Sequence, residues 1–229
     1  MAIKVLQLDA FDRVRFRGPG VLKVVQTDGP QKLTVHAPAY VMEDIQAEVK
    51  DGQLRLGWVS PKIVNLKIRR EIISYELKVS DIRELVHSGF GSVSLPDFDV
   101  DSLKLKLTGL GRIHAEHLTA DDLEVVISGA GKVQVGGDVE MQRLIISGAG
   151  TYEAVRLISD MAAIKISGAG SASVTVNDDL DVNISGSGGV NYVGFPEITK
   201  RISGSGRIKR IRRERDKSNT NQKGQGENL

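Results

Sequence analysis

Apolar and polar residues alternate along most of the chain after residue 87, in short runs on either side of a glycine corner. Leu105 and Leu107 precede one such corner and Ile113 follows it, while the residues between apolar positions, such as Lys106, are mostly polar. Alternation of this kind indicates β-strands that bury one face and expose the other. The pattern therefore predicts short strands on both sides of every corner.

The corners share one motif, [ST]-G-x-G, which occurs seven times at intervals of 20, 20, 19, 20, 18 and 18 residues. A unit of this length holds only short strands and cannot bury its apolar face alone, so neighbouring units must stack. The structural corner residues assigned from the motif are Ser88, Gly89 and Gly91; Thr108, Gly109 and Gly111; Ser128, Gly129 and Gly131; Ser147, Gly148 and Gly150; Ser167, Gly168 and Gly170; Ser185, Gly186 and Gly188; and Ser203, Gly204 and Gly206.

This repeat predicts an all-β fold, a single-stranded parallel β-helix (a solenoid) with one turn per 18–20 residues. Stacked corners lie about 4.8 Å apart, the spacing of paired strands. Glycine fits there because it has no side chain and readily adopts positive φ. We expect the Ser and Thr hydroxyls to form a ladder from turn to turn, Ile127 to point into the core, and Lys132 to face solvent.

The predicted β-helix domain covers residues 1–211, and its seven motif coils occupy residues 87–211. Residues 1–86 lack the clean repeat. We expect them to form irregular coils that cap the N-terminal end, since a solenoid needs its exposed strand edge covered. Residues 212–229 are polar and of low complexity, which predicts a disordered tail.

Three local signals stand out in the N-terminal region. Gly18 and Gly20 look like a degenerate first corner. Asp28-Gly29 and Asp51-Gly52 each separate two alternating runs, which predicts hairpins or tight turns. Residues 39–49 are expected to form a short helix.

Composition narrows the chemistry that the chain can carry. The 229 residues include 25 Gly, ten aromatic residues and no Cys, which excludes disulfides, thiolate metal sites and Cys nucleophiles. The net charge of +2 is uneven, because eight basic and three acidic residues follow from Arg207 onward and the preceding part therefore carries −3. No apolar stretch is long enough for a membrane-spanning helix, and the start lacks the apolar run of a signal peptide.

Three features together resemble a bacterial family, the putative auto-transporter adhesins with a head GIN domain. They are the repeated S-G-x-G corner, the D-G-x-L of Asp51 to Leu54, and the Tyr192-to-Pro196 ending before the last SGSG. The resemblance covers roughly residues 5–211. It implies a right-handed β-helix, an adhesin-like role and no catalytic residues. It also implies the cell surface or periplasm if a leader was removed, whereas a native start at Met1 implies the cytoplasm.

The residues that could carry other chemistry fit structural roles better. No G-x-G pair extends to the nucleotide-binding G-x-G-x-x-G, so no cofactor is expected. His114 and His117 would face opposite sides of a strand. The acidic turns at Asp121-Asp122 and Asp178-Asp179-Asp181 could attract Ca²⁺ but lack the calcium-binding nonapeptide, so no metal is expected. The outward polar positions show no coherent column of one charge, which argues against a carbohydrate-active enzyme on the β-helix.

These observations predict a non-enzymatic structural or adhesin-like β-helix that presents a polar surface to another macromolecule, a protein or a polysaccharide. The alternative is an intracellular self-assembling scaffold, like the bactofilins, whose β-helices join end to end. Basic residues near the C-terminus point either to nucleic acid or anionic lipid as further partners, or to a charged cap that prevents end-to-end pairing. They are Arg207, Lys209, Arg210, Arg212 and Arg213.

Overall fold

The computed structural model describes residues 1–58 and 73–212. Strands make up 76% of the structure and helix 2%, and the strands wind into a β-solenoid of about six turns, which confirms the predicted fold class. In chain order the elements are β1 (Ala2–Gln7), β2 (Arg13–Arg17), β3 (Val21–Gln26), β4 (Lys32–Ala37), α1 (Ala39–Met42), β5 (Ile45–Lys50), β6 (Gln53–Trp58), β7 (Ser74–Val79), β8 (Glu84–Gly89), β9 (Ser92–Gly109), β10 (Arg112–Gly129), β11 (Lys132–Gly148), β12 (Thr151–Gly168), β13 (Ser171–Gly186), β14 (Gly189–Val193), β15 (Glu197–Gly204) and β16 (Arg207–Arg210).

The long strands β9 to β13 each form one turn of the solenoid and pair in parallel with the next. Their corners stay in register, so that Gly109 aligns with Gly129 and Gly129 with Gly148. Differences in turn length are absorbed away from the glycine corner, by register shifts such as the one between Ala154 and Ile158. The seven motif corners therefore bound six successive turns.

The inward side chains of successive turns stack in columns and form one apolar core. Buried and exposed residues alternate along the strands on both sides of each glycine corner, as the sequence pattern predicts. Side chains from neighbouring turns lie directly above one another because the pairing is parallel and in register. One fully buried column consists of Leu107, Ile127, Ile146, Ile166 and Ile184.

The N-terminal turns do not stack in sequence order. β2 lies between β6 and β8, and β3 lies between β7 and β9, all in parallel pairing. The corner at Gly18 and Gly20 therefore lies against the corner at Gly89 and Gly91, and the Ser92 amide donates to Gly20 O at 3.0 Å. β6 and β7 follow this first corner in the sequence but lie on its far side in the stack.

Antiparallel strands cover this end of the solenoid. β5 and β6 form a hairpin through Asp51 and Gly52, which have φ of 52° and 70°, so the predicted turn is correct. Asp28-Gly29 closes no hairpin, because β7 lies between β3 and β4. The helix expected over residues 39–49 is wrong beyond the four residues of α1, because the alternating apolar residues that follow pair with β6 as β5.

The C-terminal end of the solenoid has a free edge. β15 pairs with β13 and β16 pairs with β14, each on one side only. The expected tail from residue 213 onward lies outside the described residues. In the described part of the chain, no helix is long and apolar enough to cross a membrane.

Candidate functional surfaces

Each glycine corner brings the backbones of two turns into close contact. Gly129 has φ of 135°, and a Cβ there would lie 2.6 Å from the carbonyl oxygen of Gly109. The second glycine of the motif is crowded by a core side chain, since a Cβ on Gly131 would lie 2.6 Å from Leu107 Cδ2. The neighbouring turn therefore occupies the space beside the motif glycines.

The Ser and Thr hydroxyls at the corners form no ladder. The hydrogen bonds of the described residues include none between the hydroxyls of successive corners, and the buried Ser88 Oγ has no partner. The backbone satisfies itself instead, because the amide of Ala130 donates to Gly109 O at 3.1 Å and the amide of Lys132 donates to Gly111 O at 3.1 Å. The expected hydroxyl ladder is thus wrong, and turn-to-turn backbone bonds take its place.

Carboxylates occupy the same outward position at a second corner on four successive turns. Asp101, Asp121, Glu140 and Asp160, here called the acidic edge, are aligned by the parallel register and are all exposed. Neighbouring members lie on paired strands about 4.8 Å apart. None of the four forms an ion pair with a residue that the structure describes. The sequence-based expectation of no single-charge column is therefore wrong.

The acidic edge carries an electrostatic cost. Like charges directly opposite each other on paired strands destabilise a sheet, by roughly 0.2–1 kcal/mol per pair. Polar and basic groups beside the edge, or at its end, offset part of this negative charge. Arg143 Nη1 lies 2.7 Å from the adjacent Asp122 Oδ1, and Asn177 donates to Asp160 Oδ1 at 3.1 Å. The fold therefore maintains a negative surface that lowers its own stability.

On the faces of the solenoid, two pairs of opposite charges bridge neighbouring turns. Lys104 Nζ lies 3.0 Å from Glu124 Oε1, and Lys132 Nζ lies 2.7 Å from Glu153 Oε1. Gln134 Nε2 also donates to Glu153 at 2.8 Å. These contacts place opposite charges on neighbouring turns, whereas the acidic edge places like charges there.

A shallow open groove lies where β3 and β7 meet the first long turns. His117 Nδ1 lies 3.1 Å from Asp97 Oδ1 there, and the Gln26 side chain accepts from and donates to the Asp99 backbone at 2.8 Å. His114 does not line the groove. Within the described ranges, no group of three or more His, Asp or Glu could hold a metal ion. The groove is lined by Gln26, Thr27, Asp28, Ser80, Asp97, Phe98, Asp99, His117 and Thr119.

A buried polar network lies within the largely apolar core. Tyr152 O–H donates to Gln142 Oε1 at 3.1 Å, Gln142 Nε2 donates to Ser159 Oγ at 2.6 Å, and Ser159 O–H donates to Thr175 O at 3.2 Å. Burial raises the pKa of Tyr152. Sequence reasoning missed this network. The signal that could have shown it is Gln142 at an inward position where the preceding turn has Leu123.

The basic residues near the C-terminus lie at the free edge. Arg207, Lys209 and Arg210 belong to β16 and Arg212 follows it, whereas Arg213 lies outside the described residues. The guanidinium carbon of Arg210 lies 3.4 Å from the centre of the Phe195 ring. The fold thus adds an aromatic ring to a basic segment that has none in its own sequence.

The chain matches one described family and several solved structures. The family described as "Putative auto-transporter adhesin, head GIN domain" matches residues 10–196. A putative adhesin from Bacteroides fragilis has a TM-score of 0.85 at 24% identity, over 92% of this chain and 96% of that chain. A putative adhesin and a putative lipid binding protein, both from Parabacteroides distasonis, have TM-scores of 0.76 and 0.71 at 20% and 22% identity, also over 92% and 96%. No curated protein matches the sequence at a significant level.

Proposed function

The chain belongs to the family of putative auto-transporter adhesins with a head GIN domain, and we propose that it is a non-enzymatic, adhesin-like protein. It binds another macromolecule through the side of its β-helix. The family description supports this role, and so does the rigid lateral surface that stacked turns provide.

The observation that carries the proposal is the acidic edge. Its four carboxylates are exposed, lie in a straight column, and have no ionic partner among the described residues. A feature that lowers stability without helping packing is typical of a functional surface. Docking a positively charged partner removes the repulsion between the carboxylates, and complementary charge speeds association and fixes register.

The charge of the edge favours a protein over a polysaccharide as the partner. A basic protein surface supplies several Lys or Arg side chains at once and can pair with successive carboxylates. A neutral glycan supplies only hydroxyl groups. We therefore propose a protein partner with a basic patch.

The pair in the groove supports binding rather than catalysis. The side chains of His117 and Asp97 are 72% and 84% exposed. Catalytic groups gain most of their electrostatic effect in sites that exclude water. Such an open pair suits a rim contact to a docked macromolecule.

An array of purified proteins and glycans tests the proposal. The edge variant replaces the four edge carboxylates by amides, as Asp101→Asn, Asp121→Asn, Glu140→Gln and Asp160→Asn. We expect the parent to bind basic proteins on the array and the edge variant to lose at least tenfold in affinity, since charge pairing supplies the contacts.

A matched control removes the same number of charges elsewhere. It replaces four exposed acids in the N-terminal region and should bind as the parent does. The proposal is rejected if edge and control variants lose affinity equally, or if the parent binds only neutral glycans. The control substitutions are Asp9→Asn, Glu43→Gln, Glu48→Gln and Asp81→Asn.

A further inference from the structure

The last turn of the solenoid leaves core positions uncovered. Ile198 and Ile202 continue the buried columns of Leu180 and Ile184, but they are 37% and 40% exposed because no further turn follows among the described residues. Phe195 precedes them and is 82% exposed. The end of the stack therefore presents an apolar surface that includes one projecting aromatic ring.

Basic side chains surround this surface. Residues 195–212 contain six basic residues and one acidic residue, Glu197, so the segment carries +5. None of the six forms an ion pair with another described residue. The basic residues are Lys200, Arg201, Arg207, Lys209, Arg210 and Arg212.

We propose that this C-terminal end docks on a lipid bilayer that contains anionic phospholipids. Clusters of basic residues are attracted to anionic headgroups, and aromatic and aliphatic side chains enter the boundary between headgroups and acyl chains. Arg210 and Phe195 combine both properties in one contact, with the guanidinium 3.4 Å from the ring centre. In this orientation the solenoid axis points away from the membrane, and its sides remain accessible.

Protection of the free edge explains only part of this surface. Lys200 and Arg210 occupy inward positions, above Val182 and Tyr192, and inward charges at a sheet edge discourage pairing with another chain. That role needs no projecting ring, yet Phe195 is exposed. It also needs none of the outward basic residues beside the inward pair. These remaining groups are the ones that a membrane surface requires.

A second copy of the chain is a poor occupant of this end. Two C-terminal ends would bring two clusters of +5 together. At the opposite end, the outermost described strands β1 and β5 carry two basic residues, Lys4 and Lys50, and one acidic residue, Glu48, and therefore offer no net negative charge. Residues 213–229 carry four basic and three acidic residues and thus offer no net negative charge. Charge complementarity therefore favours an anionic surface that is not part of this chain.

Vesicle sedimentation tests the proposal with the full chain. We expect binding to vesicles of phosphatidylcholine with phosphatidylglycerol and none to phosphatidylcholine alone. The end variant Arg201→Gln/Arg207→Gln/Lys209→Gln should bind the anionic vesicles on the order of a hundredfold more weakly, since each surface charge contributes about fivefold. These three side chains point outward or lie at the free edge, so circular dichroism should show an unchanged fold.

The matched control removes three exposed, unpaired basic residues far from this end, as Lys23→Gln/Lys78→Gln/Arg112→Gln. It should bind the anionic vesicles as the parent does. An equal loss in both triple variants would show that overall charge, rather than this end, is responsible, and would overturn the proposal. Binding to phosphatidylcholine alone at the parent's strength would overturn it as well.

A fluorescence probe reports the docking surface directly. In a Trp58→Phe background, which removes the native tryptophan, the emission of a Phe195→Trp variant should shift to shorter wavelength when anionic vesicles are added. The same probe at Phe90, which is 74% exposed at a glycine corner, should not shift. A shift at Phe90 and none at Phe195 would overturn the proposal.

The same variants distinguish a lipid surface from nucleic acid and from a second copy of the chain. Duplex DNA that binds the parent but not the end variant, with no vesicle binding, would replace the lipid surface by nucleic acid. Dimers that form in the parent and dissociate in the end variant would replace it by a second copy. The proposal does not rest on the acidic edge, so the edge variant should still bind vesicles whatever its effect on the protein array.

Discussion

Tyr152 donates its phenol proton to the amide oxygen of Gln142 across 3.1 Å, inside a core that is apolar on most turns. The two residues lie on neighbouring turns, ten positions apart in the chain. Both side chains are almost fully buried, so the phenol proton and the amide oxygen depend on each other for this hydrogen bond.

Tyr152→Phe removes this donor and leaves Gln142 Oε1 buried without it. We expect a loss of about 1–3 kcal/mol in the free energy of unfolding, the cost of an unsatisfied buried acceptor. Tyr192→Phe is the matched control, because Tyr192 is only partly buried and should change stability by less than about 0.5 kcal/mol. Denaturant titration of both variants gives the comparison, and equal losses would show that the hydrogen bond contributes nothing specific.

Burial also makes stability depend on pH at Tyr75. Burial raises the pKa of Tyr75 to about 12, from 10.0. The unfolded chain therefore ionises first, and the stability from this group is complete below pH 10 and is lost as the pH rises toward 12. Between these two pH values the free energy of unfolding falls by about 1.4 kcal/mol per pH unit, because the unfolded chain has released one proton that the folded protein keeps.

Tyr75→Phe should unfold with the parent's free energy at pH 8 and decline less steeply above pH 10. Its ring keeps the edge contact to Phe16, whose centre lies 5.3 Å away. The test is to measure the free energy of unfolding of the parent and the variant from pH 8 to above pH 10. Parallel curves for the two proteins would refute the assignment.

The glycine corner can be tested at two glycines that differ in surroundings. Gly129 has positive φ, and a Cβ there would lie 2.6 Å from the backbone of the neighbouring turn, whereas a Cβ on Gly189 would meet nothing within 4 Å. Gly129→Val should cost on the order of 1–3 kcal/mol of backbone strain. Gly189→Ala should change stability by less than about 0.5 kcal/mol. Thermal melts in one buffer should rank them in that order, and the reverse ranking would contradict the corner geometry.

The two faces of β10 and β11 give a further ranking. Ile127→Asp places an unpaired charge in the core and should unfold or aggregate the protein. Lys132 lies on the outer face and pairs with Glu153, so Lys132→Glu replaces an exposed pair by a repulsion and should cost about 1 kcal/mol. This cost exceeds the value expected for a solvated Lys132 without a partner. Equal damage in both variants would mean that the inward and outward faces are reversed.

The repeat was sufficient to predict the turns from Gly89 to Gly204, because the period and the alternation are local properties of the sequence. The order of the first turns was not predictable in this way. β2 and β3 lie between strands that come later in the chain, and only long-range pairing decides that. The prediction of a helix beyond Met42 was wrong for a related reason, since these residues pair with β6 as β5 and this pairing overrides local propensity.

The column of carboxylates in the acidic edge could have been found from the sequence. Asp101, Asp121, Glu140 and Asp160 each lie seven residues before the Ser or Thr of the following corner motif. Counting forward from the preceding corner hides the column at Glu140, because the register shift between Ala115 and Leu118 lies on that side. In contrast, Phe195 and Arg210 meet through the winding of the last turn, which the repeat does not show.

The salt dependence of binding tests whether the acidic edge is responsible for macromolecular binding. The parent, the edge variant and its four-charge control would be measured by surface plasmon resonance against the strongest basic protein from the array. We predict that the parent and control lose affinity steeply as salt rises, because exposed charge pairs are screened. The edge variant should bind at least tenfold more weakly at low salt and respond little to salt. An edge variant with the affinity and salt dependence of the parent would show that the acidic edge does not bind the partner.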